Sequence, residues 1–391
     1  MAWNWVSNLA KFCELYIITE GEFREKIEEV VPTLEHSKNM HFYYNPVTAE
    51  IRKMCWNQGD WRFYKYYREW QWKTYLMAKD ICSKEKIDVL HQLNMIGFRE
   101  PGYLWKLSKE SDVPFVWGPI GGLKQFPLAY LQGAGLKMKL FNRLKNILNV
   151  WQLKHEKRVD EALKTARLLV SSIPDSYRAI KKYKGLESIV IPETGCFLSE
   201  DIPTDRFDEK ELHVMWVGKF DFRKQLPLAL RAIAIANNPN IVLDIYGGGS
   251  DEQIASAKRV ADLLGITEKV VWHGNQPNDV VMNAMHKAQV FFFTSVSEDT
   301  STVVLEAVSN RLPVLCFDAY GMAAVIDDKV GRKVALSNPA QSATDFAKQL
   351  NNLEHDRNLL KQLSENCKQR QTELSWEEKA KTMVEWYEKV R

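Results

Sequence analysis

No cysteine framework runs through this chain. Its six cysteines, Cys13, Cys55, Cys82, Cys196, Cys316 and Cys367, are scattered, with no C-x-x-C pair and no metal-ligand spacing. That excludes a disulfide scaffold or zinc ribbon and predicts buried thiols in a reducing compartment. No apolar run reaches the roughly 20 residues of a membrane span. The opening MAWNWVSNLAKFC has no charged n-region and no cleavage site, so it reads as a short amphipathic helix, not a signal peptide. No D-x-D motif stands at a strand end, so nothing here requires a divalent metal. Repeats and low-complexity tracts are missing. A net charge of +3 over 391 residues is too small to imply nucleic acid by itself. The expected location is cytoplasmic.

What is present is an alternation. Short apolar runs such as CELYIIT (13–19), KIDVLHQL (86–93), VPFVWG (113–118), LHVMWVG (212–218), NIVLDIYG (240–247) and AQVFFFT (288–294) alternate with helical stretches. Strands alternating with helices predict βαβ units and parallel sheets. The polar stretch 196–211 lacks periodicity and reads as a linker between two such sheets. The segment 374–390 carries Trp376, Ala380, Met383 and Tyr387 at helical spacing.

Glu298 and Glu306 sit eight positions apart within SVSEDTSTVVLEAVSNRLPVLCFD (295–318). The strand-type run 290–293 precedes them. Thr300, Ser301 or Thr302 is expected to cap a helix reaching Ser309. Its N-terminus would open where the strand ends, so its free N–H groups can hold a phosphate. Upstream, VGKFDFRKQLPLALRAI (217–233) places Gly218, Lys219, Arg223 and Lys224 in a loop after a strand. IYGGGSD (245–251) supplies Gly247 and Gly249, which let a backbone approach a phosphate or base closely. It is not a dinucleotide fingerprint, because the third glycine is missing. VVWHGNQP (270–277) and LPVLCFDAYGM (312–322) contribute Asn275 and Gly321.

In this order the elements over 217–322 resemble retaining glycosyltransferases of family 4 and their E-x7-E signature. Two departures stand out: Ser301 replaces a usual glycine, and the loop 319–325 lacks an acidic residue often found there. The resemblance implies an α/β GT-B fold: two Rossmann-like domains with parallel sheets facing a central cleft, and a C-terminal helix crossing back. The domains would be 1–197 (acceptor side), 198–373 (donor side) and the helix 374–391. It implies sugar transfer from a nucleotide-sugar donor to a glycan or lipid-linked acceptor, with retained anomeric configuration, in surface polysaccharide or glycolipid assembly. It further implies that Lys219, Lys224 and the helix start at Ser301–Thr302 neutralise the leaving diphosphate without a metal or other cofactor. Glu306 would hold the ribose hydroxyls and Glu298 the donor sugar, with Gly218, Arg223, Gly247, Gly249, Asn275 and Gly321 around the donor. A silent nucleotide-sugar-binding or partner-binding protein of the same fold, or an epimerase or phosphorylase, remains the alternative.

On the acceptor side the expected residues are His91 at a strand end, as a catalytic group facing the donor, with Arg99, Gly118 and Gly121. Pro101 is expected in the first turn of the following helix. The first helix begins at once, so either an upstream piece is absent or the sheet lacks its usual first strand. The stretch 136–151 forms a basic amphipathic helix, with Leu136, Leu140, Leu144, Ile147 and Trp151 on one face and Lys137, Lys139, Arg143 and Lys145 around it. It fits either an anionic membrane surface on the inner face of the plasma membrane or packing on its own domain. In 61–76, Trp61, Tyr64, Arg68, Trp72 and Tyr75 trace a helical stripe expected in the core, and no nucleic-acid partner is expected.

Overall fold

The structure is a computed structural model; it describes residues 1–56, 62–93, 95–132, 134–199, 202 and 205–391. Its strands are β1 (Leu15–Thr19), β2 (Met40–Tyr44), β3 (Leu90–Gln92), β4 (Phe115–Ile120), β5 (Leu168–Ser171), β6 (Ile189–Val190), β7 (Leu212–Val217), β8 (Ile241–Tyr246), β9 (Val270–Gly274), β10 (Val290–Phe293), β11 (Val314–Phe317) and β12 (Gly331–Val334). All described pairings are parallel.

In the second half the strands run in the order β12-β11-β10-β7-β8-β9. The order reverses between β10 and β7. Loops leaving those two strands at their carboxyl ends therefore diverge and leave a crevice, the usual ligand position in doubly wound sheets. The residue choice explains the central position of β10. Val290, Phe291, Phe292 and Phe293 are all buried, as a strand covered on both faces requires. Phe292 and Phe317 meet Phe346 edge-on, with centroids 5.0 and 4.8 Å away.

In the first half the order is β3-β4-β5-β6, with β1 and β2 paired apart as a two-stranded sheet. The helix Leu104–Ser111 starts after Tyr103, so Pro101 precedes it instead of opening its first turn. The segment Phe126–Leu131 reaches out of this half and packs in the core of the other. Tyr130 Oη lies 2.6 Å from Ser342 Oγ, and Tyr320 donates to the Gln125 carbonyl at 3.0 Å.

Two stretches of chain connect the halves, and they touch. The Cys196 amide donates to the Leu374 carbonyl at 2.9 Å, and Cys196 bridges Ser375. The final helix, Trp376–Val390, is capped by Ser375, which accepts from the Glu378 amide. It buries Trp376, Ala380 and Met383 against Trp5, Leu9, Val116 and Val170 of the first half. Trp5 and Trp376 stand edge to face at 5.9 Å.

The aromatic stripe is not core throughout. In the helix Phe63–Lys84 only Tyr75 of the stripe is buried; Tyr64 and Trp72 are each 41% exposed. Arg68 is spent on the buried Glu100, 2.8 Å away. Trp61 lies outside the described residues.

Candidate active site

The loops after β7, β8 and β9 are stitched together by backbone hydrogen bonds. The Gly218 amide donates to Tyr246 O (3.0 Å), Phe220 N to Gly248 O (2.8 Å) and Gly247 N to Gly274 O (2.7 Å). Gly247 adopts φ +131°, and a Cβ there would lie 1.9 Å from Gly218 O. Only glycine permits this approach. Asn275 lays its amide against Gly248, and Gln253, beside Gly249, donates to Phe220 O at 2.9 Å. The result is a rigid floor from which Lys219 projects exposed.

Asp221 caps the next turn by accepting from the Arg223 and Lys224 amides. That turn aims Lys224 at the loop after β10. Its Nζ lies 2.7 Å from Glu298 Oε1, and Ser295 Oγ lies 3.1 Å from the same oxygen. Lys224 also rests over the Phe293 ring at 4.9 Å. Ser301 is the N-cap of the helix Thr302–Ser309 and makes no side-chain cap bond. The amides of Thr302 and Val303 precede the first backbone bond of this helix, Val304 N to Ser301 O at 3.1 Å, so this end can accept an anion. Glu306, half-buried in the second turn, makes no hydrogen bond or ion pair through its carboxylate to the described residues, and burial raises its pKa above 4.5. Gly321 packs on the same loop; a Cβ there would stand 2.4 Å from Asp299 O.

The first domain meets this loop with residues that no local pattern marks. Lys124 Nζ pairs with Asp299 at 2.9 Å across the cleft. Glu193 Oε1 accepts from the Thr300 amide at 2.8 Å, while its other oxygen is buried without a partner. Burial pushes the Glu193 carboxyl up. Lys379, buried in the final helix and lowered to about 8, donates to the carbonyls of Pro192 and Thr194 on either side of it. Gly121 faces the loop as well, since a Cβ there would lie 3.4 Å from Asp299 Oδ2. Lys124, Glu193 and Asp299 carry no motif of their own in the sequence.

His91 and Gly118 are placed differently from the sequence expectation. His91 Nε2 lies 2.7 Å from the Gly118 carbonyl, which can only accept, so Nε2 carries the proton. Nδ1 then accepts from the Tyr387 hydroxyl of the final helix. Burial lowers the pKa to about 4. With both nitrogens engaged and the ring turned to Tyr387, His91 is a neutral link between β3, β4 and the final helix, not a proton carrier facing Glu298. Gly118, at φ +143°, would place a Cβ 2.2 Å from Val170 O, so it serves the sheet and not the cleft.

Arg99 lies in the first half, and its guanidinium is held by side-chain amides. It donates to Gln152 at 2.5 Å and to Asn149, and burial lowers its pKa. Both amides belong to the helix Leu136–His155. On the same inner face Asn146 pairs with the backbone N and O of Phe126 at 2.8 and 2.9 Å. The outer face is bare: Leu136, Leu140, Ile147 and Trp151 are 84%, 60%, 65% and 56% exposed. Packing on its own domain therefore does not account for that face. Among the described residues no helix is long and apolar enough to cross a membrane.

Residues 199–370 match the family described as Glycosyl transferases group 1. A 183-residue stretch is 26% identical to a D-inositol 3-phosphate glycosyltransferase of Streptomyces bingchenggensis, covering 44% of this chain and 39% of that relative. The match thus spans well under half of the relative's length. Among solved structures, a glycosyltransferase from Rickettsia africae superposes with a TM-score of 0.63 at 11% identity, covering 99% of this chain and 94% of that one. HepE of Anabaena, solved in complex with UDP, superposes with a TM-score of 0.62 at 13% identity, covering 99% and 95%. The fold is GT-B, with two Rossmann-like domains, and the family match lies in the second.

Proposed function

We propose that this chain is a glycosyltransferase that binds a nucleotide-sugar at the carboxyl ends of β7 to β10 and transfers the sugar with retention. One observation carries the reading. At the switch point between β7 and β10, the Lys224–Glu298 pair (2.7 Å), the open helix start at Ser301 and the unpaired Glu306 converge. Cations beside a helix N-terminus suit a diphosphate, and a buried carboxylate without a protein partner suits hydroxyl donors. In this reading Lys219, Lys224 and the helix amides stabilise the leaving diphosphate without a metal, as fixed positive charge. Arg223 flanks them. Glu306 takes the ribose hydroxyls, and Glu298, held by Lys224 and Ser295, meets the donor sugar. The glycine floor and Asn275 support the base, and Gly321 backs the Glu298 loop.

The acceptor enters from the first domain, past Arg99 and Gly121. We place it at a lipid surface. The bare face of the helix Leu136–His155 presents Leu136, Leu140, Leu144, Ile147 and Trp151 outward. Exposed apolar surface flanked by cations fits the boundary of an anionic bilayer.

The test is a screen of UDP-, GDP- and ADP-sugars by thermal shift, followed by NMR assignment of the product anomer. A donor at 100 times its dissociation constant stabilises by about 2.7 kcal/mol. Stabilisation by one base series, and a product with the donor's anomeric configuration, is the expected result. An inverted product, or activity that is lost with chelator and restored by Mg²⁺ or Mn²⁺, refutes the corresponding part of the mechanism.

A further inference from the structure

Beside the Glu298 loop, a cavity of about 350 Å³ opens between the domains, with Ser297 in its wall. Arg99, Lys124, Lys145 and Arg223 all line it. Lys124 is paired with Asp299 and Arg223 with Asp221. Arg99 is held by neutral amides alone, and Lys145 has no ion pair among the described residues. Four cations against two carboxylates leave two positive charges uncompensated in a half-enclosed space. Lys145 registers the strain: burial, then Lys124, Arg99 and Arg223, lower its pKa.

The positions are built, not incidental. Asn149 and Gln152 fix the Arg99 guanidinium, and Asn149 also donates to the carbonyls of Gly122 and Lys124 at 3.3 Å. Asn146 pins Phe126 in the same wall. Gathering like charges around one cavity is unfavourable unless an anion joins them, although Lys145 is exposed and the Arg223 side chain is 52% exposed. Lys219 and Lys224, assigned to the donor, do not line this cavity. Of the cations placed around the donor only Arg223 reaches it, and Arg223 is paired with Asp221, so the anion held by Arg99 and Lys145 is a second one.

We propose that this cavity is the acceptor subsite and that the acceptor carries a phosphate group, held by Arg99, Lys145 and Lys124 next to the Glu298 loop. The proposal rests on the glycosyltransferase reading for the word acceptor, but the phosphate site stands on the cavity alone. A phosphomonoester or diphosphate carries about two negative charges at neutral pH and presents planar-fork acceptors that guanidinium matches. Phe126 and Phe141 form the apolar part of the wall, suited to the organic body of the ligand. The bare helix face favours a lipid as the carrier of the phosphate over a soluble sugar, and the probes separate these sources.

The experiment is calorimetric titration of the full-length protein with dioctanoyl phosphatidic acid and with glucose 6-phosphate, each beside its neutral counterpart, dioctanoylglycerol or glucose. UDP, GDP and ADP serve as donor-site probes. At least one phosphate probe binds roughly tenfold or more tightly than its neutral counterpart. Tighter binding of the phosphatidic acid assigns a lipid source, and tighter binding of the sugar phosphate a soluble one. Arg99→Gln and Lys145→Gln each weaken that probe roughly tenfold, while leaving nucleoside diphosphate affinity within about twofold. Lys145 lies on a helix surface, so its variant keeps the test open if Arg99→Gln fails to fold. Equal binding of phosphate and neutral probes, or phosphate affinity retained in both variants, overturns the proposal. Phosphate binding lost in the variants of a protein that binds none of UDP, GDP and ADP keeps the site and removes the donor reading.

Discussion

Glu306→Gln should move stability and affinity in opposite directions. Burial raises the Glu306 carboxyl above its free value of 4.5, and no group among the described residues pairs with it. For a carboxyl whose folded pKa is raised, the stabilising contribution is full below the unfolded value and is lost as pH rises through the folded value. At pH 7 the ionised side chain is therefore a net burden on the unliganded fold. The neutral amide removes that burden, so the variant should melt higher than the parent without ligand, and the gap should close as pH falls below about 4.5. The ligand sees the reverse. A hydrogen bond to a charged acceptor contributes about 1.5–3 kcal/mol, which at 1.4 kcal/mol per decade is roughly 10- to 150-fold in affinity. The amide keeps one carbonyl acceptor, so the loss for Glu306→Gln should lie near the tenfold end. Glu306→Ala should approach the upper end. Calorimetric titration with the preferred nucleoside diphosphate and thermal unfolding across pH 4–8 read both quantities. Unchanged affinity, or a fall in both stability and affinity, would refute the ribose assignment.

Further outcomes follow from other contacts. Lys224→Ala should lower turnover by about 10²–10³ through loss of one preorganised donor; an unaltered kcat removes Lys224 from the leaving-group site. Glu193→Ala should cost about 1–3 kcal/mol in urea unfolding, because the buried Thr300 amide loses its acceptor, with Glu193→Gln recovering most of it; equal losses in both variants deny that bond a role. His91 should supply acid sensitivity. Its pKa falls from 6.5 to about 4 on folding, so its contribution is full above 6.5 and is lost as pH drops towards 4, roughly 3 kcal/mol in all. His91→Asn should flatten that part of the pH–stability profile, and an identical slope would place the titrating group elsewhere. Charge reversal at Lys137, Lys139 and Arg143 should release the protein from anionic vesicles in sedimentation, at about 1 kcal/mol per cation near the surface and less in high salt. Equal partitioning onto neutral and anionic vesicles contradicts docking by charge.

The donor half was legible because its signals are local. Val290–Phe293 reads as a buried strand, Ser301 as a cap, and the glycine at 247 as a close approach, each from a few consecutive residues. The first half was less so. Periodicity identifies a helix face but not whether anything covers it. That is why Tyr64 and Trp72 were expected inside and are half exposed, and why the helix Leu136–His155 was compatible with two surroundings. His91 showed its strand end but not Tyr387, 296 residues later, that claims its ring. The Glu193–Thr300 and Lys124–Asp299 contacts join segments more than a hundred residues apart, and no local pattern encodes such a meeting.

The touching crossovers at Cys196 and Leu374–Ser375 have a mechanical consequence. A single tether would let one domain swivel freely against the other. Two tethers bonded side by side leave mainly one rotation, about the line that joins them. Glu193 sits on one strand of that hinge and reads the Thr300 amide directly, while Lys379 grips its neighbours from the final helix. Elsewhere the Tyr130–Ser342 bond ties the two halves as well. Swinging the cleft open would therefore pull first on the loop that carries Glu298, so the width of the cleft and the shape of that loop are geared to the same axle.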